Sequence, residues 1–380
     1  MKFLLIYVPN LRFEKFNDNW SRTTINKVCV CNPKNEDKLD DEFIYIDLES
    51  VEKGVLKTKN IIHLKNAPSR AQRILYKNDI LFQSVRPYQR NNYLFNQGDD
   101  LFQYVASTGY IQIRTTLNPY YLFQLLNTDK INNEVMLRCT GTSYPAINSN
   151  DFSNIVLTIT NDRDEQNKIA EFFSLIEERI NTQIKIIDTL LSEINSIRSL
   201  IFNKSSLKWI PLKDIVAEQD IKLKRGKVIP KHKKNLKYIY PVYSSSITNS
   251  GLMGYSDSYM FNQELITWSI DGGGNFFYRK KHKFNITNVS GYMILNENLF
   301  NYQFIVQSLI WQHEKLKFDY QTKAHPSVVE SLYKIPIMDL EEQHKYACLF
   351  SNLNEKYELE LHILDLLNMQ KKYLLKNMFV

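Results

Sequence analysis

Apolar residues recur every three or four positions at Ile169, Phe172, Ile176, Ile180, Ile184, Ile187, Leu190, Ile194, Ile197 and Ile201. The same stepping returns at Tyr346, Leu349, Leu353, Tyr357, Leu361, Leu364 and Leu367, breaks at Lys371, and resumes at Leu374 and Met378. Steps of three and four sustained this long predict amphipathic helices near coiled-coil spacing. Neither stretch contains proline or glycine, so each helix can run about 55 Å at 1.5 Å per residue. Asp162 and Asp164 stand where an N-cap and an acidic first turn belong. Lys371 interrupts the second stripe and is placed to fix register or partner choice.

The two stripes belong to a repeat. With Glu165 set on Glu342 and no gap as far as Phe202 on Phe379, 11 of 38 positions are identical, among them Gln166/Gln343, Phe173/Phe350 and Phe202/Phe379. Likeness continues outside the helices: "STGYIQI" (107–113) beside "VSGYMIL" (289–295), and "NPYYLFQLL" (118–126) beside "NYQFIVQSL" (301–309). Trp20 opens the first copy and Trp209 the second. The layout is therefore globular domain 1–158, helix 159–204, globular domain 205–338, helix 339–380. If the second domain's entry and exit lie close together, the helices run antiparallel. The expected fold is α+β, with two pseudo-twofold related mixed α/β domains separated by two long antiparallel helices.

Charge sharpens this layout. The net charge is +7. Segment 204–339 holds 19 basic against 11 acidic residues, whereas 161–203 holds 5 against 8. A basic segment is the footprint of a phosphate binder. Apolar content of 43% with 23% charged residues predicts packed cores. The apolar run "FLLIYV" (3–8) is too short for a secretory signal or a membrane span, which predicts a soluble, cytoplasmic protein with no membrane partner. Cys29, Cys31, Cys139 and Cys348 lack zinc-ligand spacing and read as buried thiols.

The opening "VPNLRFEKFNDNW", "SRAQRILYKNDILFQSVRP" (69–87), "YPVYSSSITNSGLMGY" (240–255), "ITWSIDGGGNFFYRKKHKFNITNVSGY" (266–292) and the two "EQ" helices together resemble the specificity subunit of type I restriction-modification enzymes. That resemblance covers almost the whole chain. It implies two target-recognition domains, each reading half of a split, asymmetric site on double-stranded DNA. It implies helices that act as a ruler and dock two methyltransferase subunits, with motor-nuclease restriction subunits joining that core. S-adenosylmethionine, ATP and Mg2+ would then be used on other subunits and none bound by this chain. Two domains at fixed separation would read half-sites about 34 Å, or roughly 10 bp, apart.

Candidate DNA contacts follow from residue chemistry. The acid-free run 222–237 carries Lys222, Lys224, Arg225, Lys227, Lys231, Lys233, Lys234 and Lys237, with Gly226 and Pro230 marking a loop or sheet edge. "YRKKHK" adds Arg279, Lys280 and Lys281 after a glycine turn, with Asn275 and Arg279 near base edges. Ser245, Thr248 and Asn249 form a polar stretch between strand-like segments. In the first domain Arg70, Arg73, Arg86, Gln89, Arg90 and Asn91 combine guanine- and adenine-pairing side chains; the structural alternative is that Arg70 and Arg73 bridge to carboxylates such as Asp79. Partner-docking candidates on the helices are Phe172, Phe173, Ile176, Ile180, Leu349, Phe350, Leu353 and Tyr357.

"NPYY" (118–121) lacks the second proline of the adenine-methyltransferase motif, and its counterpart is "NYQF", so a helix start is the better reading. No G-x-x-x-x-G-K-[ST] loop occurs, and the histidines are scattered. A non-catalytic specificity subunit is expected. Two rivals remain: a coiled-coil tether that binds proteins without reading DNA, and a single-chain enzyme with a degenerate methyltransferase site.

Overall fold

The computed structural model describes residues 7–97, 101–246, 248–271, 273–316 and 323–380. Residues 3–6 of "FLLIYV" and Gly272 of the glycine turn lie outside the described residues. The periodic stripes form helices Arg163–Phe202 and Leu340–Met378. Each begins where an aspartate caps it. Asp162 Oδ1 accepts from the Asp164 and Glu165 amides, at 2.8 and 3.2 Å, and Asp339 Oδ1 accepts from the Glu342 amide at 2.9 Å.

The chain divides into two compact units, Met1–Thr182 with Leu364–Val380, and Gln183–Ile363. Both long helices therefore contribute to both units. In the first unit Phe173 stacks on Phe379 at 5.9 Å and Glu177 meets Lys371 at 2.6 Å. In the second, Gln183 Nε2 donates to Glu360 Oε2 at 2.6 Å and Lys204 Nζ to the Tyr346 hydroxyl at 3.0 Å. In each unit the pairing number rises on one helix as it falls on the other, so the helical segments run antiparallel, as the connectivity predicts.

Repeated residues do repeated work. Gln166 and Gln343 are 2% and 1% exposed. Gln166 Oε1 accepts from the Asn118 amide at 2.9 Å while its Nε2 donates to the Thr160 carbonyl at 3.0 Å. Gln343 Oε1 accepts from the Asn301 amide at 2.9 Å while its Nε2 donates to the Leu299 and Met338 carbonyls, both at 2.9 Å. Asn118 and Asn301 in turn cap helices Pro119–Leu126 and Tyr302–His313. "NPYY" is thus a helix start, with Asn118 spent on capping.

Each core is closed by the far end of a long helix. Phe379 packs on Trp20 and Tyr121 at 6.3 and 5.5 Å. Phe202 packs on Trp209 and Phe304 at 6.1 and 5.5 Å. The opening motif is held by the same helix start: Arg12 grips buried Glu165 through two hydrogen bonds, at 2.6 and 2.9 Å, and Trp20 Nε1 donates to it at 3.2 Å.

The units differ in their sheets. The first has two four-stranded sheets and the antiparallel pair Ser21–Thr24 with Val156–Ile159. The second has the matching pair Lys208–Pro211 with Lys334–Ile337 and one six-stranded sheet. Its strand order is Ile221–Arg225, Ser290–Leu295, Phe261–Ser269, Phe276–Ile286, Tyr240–Tyr243, Leu252–Ser256. Gly291 lies against the Trp268 ring, where an added Cβ would sit 2.1 Å from a ring carbon.

Two details depart from the periodic reading. Gln183, 8% exposed, takes the seam position that the stripe assigned to Ile184, which is 40% exposed; its amide reaches Glu360 across the helix pair. The cysteines are free thiols, but only Cys29 is buried and Cys348 is exposed. Burial pushes the Cys29 thiol up to about 12 and Cys31 up to about 11.

Two predictions test this packing. Phe379→Ala should destabilise the first unit by about 3–5 kcal/mol, read by urea unfolding of the full chain. Burial pushes Glu177 up, yet the Lys371 charge and hydrogen bonds from Lys371 and Gln124 outweigh it and hold its carboxyl below the ordinary range. A depressed folded pKa contributes stability above the unfolded value, about 4.3, and loses it as pH falls through the folded value. Lys371→Met should therefore destabilise at pH 7, and the gap to wild type should close on acidification below pH ~4.

Candidate nucleic-acid interface

The basic run 222–237 does not fold into one patch. Lys222 and Lys224 point outward from edge strand Ile221–Arg225, alternating with inward Ile221 and Leu223. The chain then crosses the sheet. Gly226 N donates to the Ser290 carbonyl at 3.1 Å and Lys227 N to the Ile286 carbonyl at 3.0 Å. Only glycine fits at 226, because a Cβ there would lie 2.2 Å from the Ile286 carbonyl oxygen. His232 then pairs with Tyr255 on strand Leu252–Ser256, which brings Lys231, Lys233 and Lys234 to the opposite edge. All seven lysines of the run are exposed. Arg225 is held by the Asn288 carbonyl, at 2.8 Å from Nη2.

Tyrosines interleave with cations at that second edge. Lys234 lies 5.5 Å from the Tyr255 ring centre, Lys283 4.8 Å from Tyr259, and Lys237 5.3 Å from Tyr238, on which His232 stacks at 3.9 Å. A cavity of about 360 Å³ opens here between segment Lys227–Pro230, Tyr238, Tyr259 and buried Asn285. Cations that neutralise phosphates beside aromatic faces that stack on bases form the combination used for nucleic acid. Tyr238, Tyr255 and Tyr259 are absent from the candidates read in the sequence; the alternation of Tyr with other residues in "KYIYPVY", next to the lysine run, is the signal that could have found them.

Other candidates fall elsewhere. Lys280 pairs with Glu355 at 3.0 Å, and Lys281 is exposed. Asn275 is half-buried, with its carbonyl turned to the Ser269 amide at 3.2 Å. Arg279, expected near base edges, is 5% exposed: its Nε donates to Thr267 Oγ1 at 2.9 Å and its Nη2 to the Ser250 carbonyl at 2.7 Å. Burial pushes its pKa down to about 10. Ser245 is half-buried, while Thr248 and Asn249 are exposed on a short turn.

In the first unit Arg86, Gln89, Arg90 and Asn91 come together on one loop. Arg86 and Arg90 take left-handed backbone, φ 54° and 56°, on either side of the turn Pro87–Gln89. Buried Gln83 shapes it: its Nε2 donates to Gln89 Oε1 at 2.7 Å and its Oε1 accepts from the Asn91 amide at 2.9 Å. Arg86 lies 4.4 Å from the Tyr144 ring centre, and Arg90 pairs with Asp129 at 2.7 Å. Arg70 and Arg73 stand apart from this loop. Arg70 is exposed, whereas Arg73 is half-buried in strand Ala71–Ile74, its Nε has no hydrogen-bond partner among the described residues, and burial lowers its pKa. Neither bridges to Asp79, whose partners are Arg114 at 2.9 Å, Gln112 at 2.6 Å and the Tyr76 amide at 2.9 Å. Among the described residues no group of His, Cys, Asp and Glu is placed to hold a metal ion, and no helix is long and apolar enough to cross a membrane.

Comparison with known proteins meets this geometry. Residues 208–369, from the first strand of the second unit into the second long helix, match the family model described as type I restriction modification DNA specificity domain. Over that stretch the chain is similar to the type I restriction-modification specificity family. It is 34% identical over 115 residues to S.MpnORF285P of Mycoplasma pneumoniae, assigned as a type I specificity subunit, covering 28% of this chain and 36% of that one. It is 29% identical over 135 residues to the HindI specificity subunit of Haemophilus influenzae, covering 34% of this chain and 29% of that one. In these matches it spans about a third of the relatives' length. The type I S subunit from M. genitalium shares the fold, with TM-score 0.64 at 18% identity over 98% of this chain and 99% of that one. A chain from work on complex assembly and conformational transition of the type I R-M system gives 0.58 at 17% over 95% and 97%.

Of the helix residues expected to dock partners of a specificity subunit, Phe173 and Phe350 are 0% exposed and belong to the cores of their own units. Phe172, Ile176, Ile180, Leu353 and Tyr357 are half-buried, and Leu349 is exposed. The large apolar side chains that the helices expose most are others: Leu175, Leu200, Leu359, Met369 and Tyr373.

Replacing Lys231, Lys233, Lys234 and Lys237 together by Ala should flatten the dependence of log K on log salt by up to about 4, close to one for each phosphate left unneutralised. Lys280→Ala, which removes a paired cation, should change the slope by less than about 1. Titration of a DNA duplex at several salt concentrations checks both.

Proposed function

We propose that this chain is the DNA sequence-specificity subunit of a type I restriction-modification complex, with each unit reading one half of a split, asymmetric site. The observation that carries the reading is repetition with divergence. Both units are built on one glutamine clamp, one asparagine cap and one helix-end phenylalanine, yet their exposed polar surfaces differ. A duplicated frame with unlike faces suits a bipartite target whose halves are unlike. Clustered lysines and tyrosines in the second unit, and the Arg86–Asn91 loop in the first, support binding to duplex DNA.

Catalysis belongs to partner chains in this reading. The long helices dock two methyltransferase subunits, and motor-nuclease subunits join through them. S-adenosylmethionine, ATP and Mg2+ are used on those subunits. Solvent-facing Leu200, Leu359 and Met369 supply apolar area for such docking. So does the neighbouring open face of the first long helix, which carries Leu191 and Leu200.

Sequencing of modified bases in cells that carry the chain with its methyltransferase subunit should reveal one motif made of two specified parts and an unspecified gap. A continuous motif, or none, would contradict the reading. Leu200→Lys should weaken capture of the methyltransferase subunit by about tenfold or more, measured by co-purification, while leaving the salt slope of DNA binding unchanged.

A further inference from the structure

Arg279 is a buried cation without an anion. Among the described residues no carboxylate lies within ion-pair distance of it. Its guanidinium carbon sits 3.7 Å from the Tyr243 ring centre and 5.0 Å from that of Phe277. Its two hydrogen bonds go to neutral oxygens, Thr267 Oγ1 and the Ser250 carbonyl. Burying a charge on such terms is costly, and an apolar side chain of similar volume would fill the site more favourably. The Arg–Tyr stack offsets only part of that cost.

What the charge holds is unusual backbone. Asn249 and Ser250 both lie in the left-handed region, φ 48° and ψ 41° and 32°, and Gly251 follows at φ +80°. Consecutive left-handed residues with side chains are disfavoured and persist only where surroundings over-determine them. Here three hydrogen bonds do so. Arg279 Nη2 donates to the Ser250 carbonyl, the Ser244 amide donates to the Gly251 carbonyl at 2.8 Å, and Thr287 Oγ1 donates to Ser244 Oγ at 2.8 Å. Gly251 is needed as well, since a Cβ would lie 3.0 Å from the Ser244 carbonyl oxygen and 3.3 Å from Arg279 Nη2. The turn leaves Asn249 exposed, and no hydrogen bond among the described residues occupies its side-chain amide.

We infer that Arg279 is a positioning residue for base readout: it locks the Thr248–Gly251 turn so that Asn249 presents its amide to a base edge, adenine being the base that an Asn amide pairs with bidentately. The inference rests on the reading of the chain as a DNA specificity subunit. With the backbone locked, the direction of the Asn249 Cα–Cβ bond is set, so only its side-chain torsions have to settle for the amide to offer its donor and acceptor to adenine N7 and N6. With the turn released, that direction would be lost as well. The buried charge also places unneutralised positive potential beneath the turn, which favours approach of a phosphate-flanked groove.

The test uses the full chain with its methyltransferase subunit, reading the motif by sequencing of modified bases and folding by thermal melting. Asn249→Ala and Arg279→Gln should both relax one and the same A·T position of a single half-site. Discrimination there should fall by about tenfold or more, with the other half-site and the salt slope unchanged. A wild-type motif in a folded Arg279→Gln chain would overturn the inference. So would loss of the whole half-site together with a lowered melting temperature, which would mark Arg279 as a packing residue only. Relaxation at a G·C position would overturn the assignment of adenine. If the wild-type chain directed no split motif, the underlying reading would fail, and that outcome is distinct from the others.

Discussion

A single buried amide, used twice, organises this protein. Gln166 and Gln343 each satisfy a backbone amide at the start of a short helix and a carbonyl on the segment entering a long one. Both are inaccessible to water, so breaking any hydrogen bond there would leave a buried polar group orphaned. The clamp fixes where the long helix leaves its unit. Within each unit a helix-end phenylalanine completes the aromatic core beside the clamp: Phe379 against Trp20 and Tyr121 in the first, Phe202 against Trp209 and Phe304 in the second. Repetition of "EQ" so far apart in the chain is thus a consequence of geometry: two units need the same joint.

Once the joint is fixed, the rest of each unit is free to vary. The first unit builds two four-stranded sheets, the second a single six-stranded one. Their exposed surfaces diverge accordingly. One presents a strained arginine–glutamine loop shaped by Gln83, the other a lysine–tyrosine edge and a left-handed turn shaped by Arg279. In both, buried polar side chains (Gln83 and Arg279) hold irregular backbone in place. Such backbone is costly and persists only where the surrounding structure over-determines it.

Much of the frame was legible in the sequence because helices announce themselves by period, cap and the absence of breakers. The stripes, the Asp162 cap and the reading of "NPYY" as a helix start follow from those local rules, and the antiparallel pairing follows from the connectivity. The surface was less legible because it depends on residues that are distant in sequence. Periodicity alone put Ile184 in the seam, whereas the cross-helix partner Glu360 draws Gln183 there. The contiguous run 222–237 reads as one patch, but Gly226 lets the chain cross the sheet, so its lysines separate onto two edges. Arg279 reads as an exposed reader among lysines, but strand alternation turns it inward, onto Tyr243. Asp79 draws Arg114 rather than the nearer Arg70 or Arg73, since Arg114 and Gln112 share a strand that lies beside it.

The claim most in need of direct test is that each unit reads its own half of the target independently of the other. A chimera supplies that test: the segment between Lys208 and Ile337, bounded by the paired strands that close the second unit, is exchanged for its counterpart from a type I specificity subunit of known target. Modified bases are then mapped in cells. The account predicts that one part of the motif changes to that of the donor while the other part stays as it was. A motif altered in both parts by a folded, assembled chimera would contradict it.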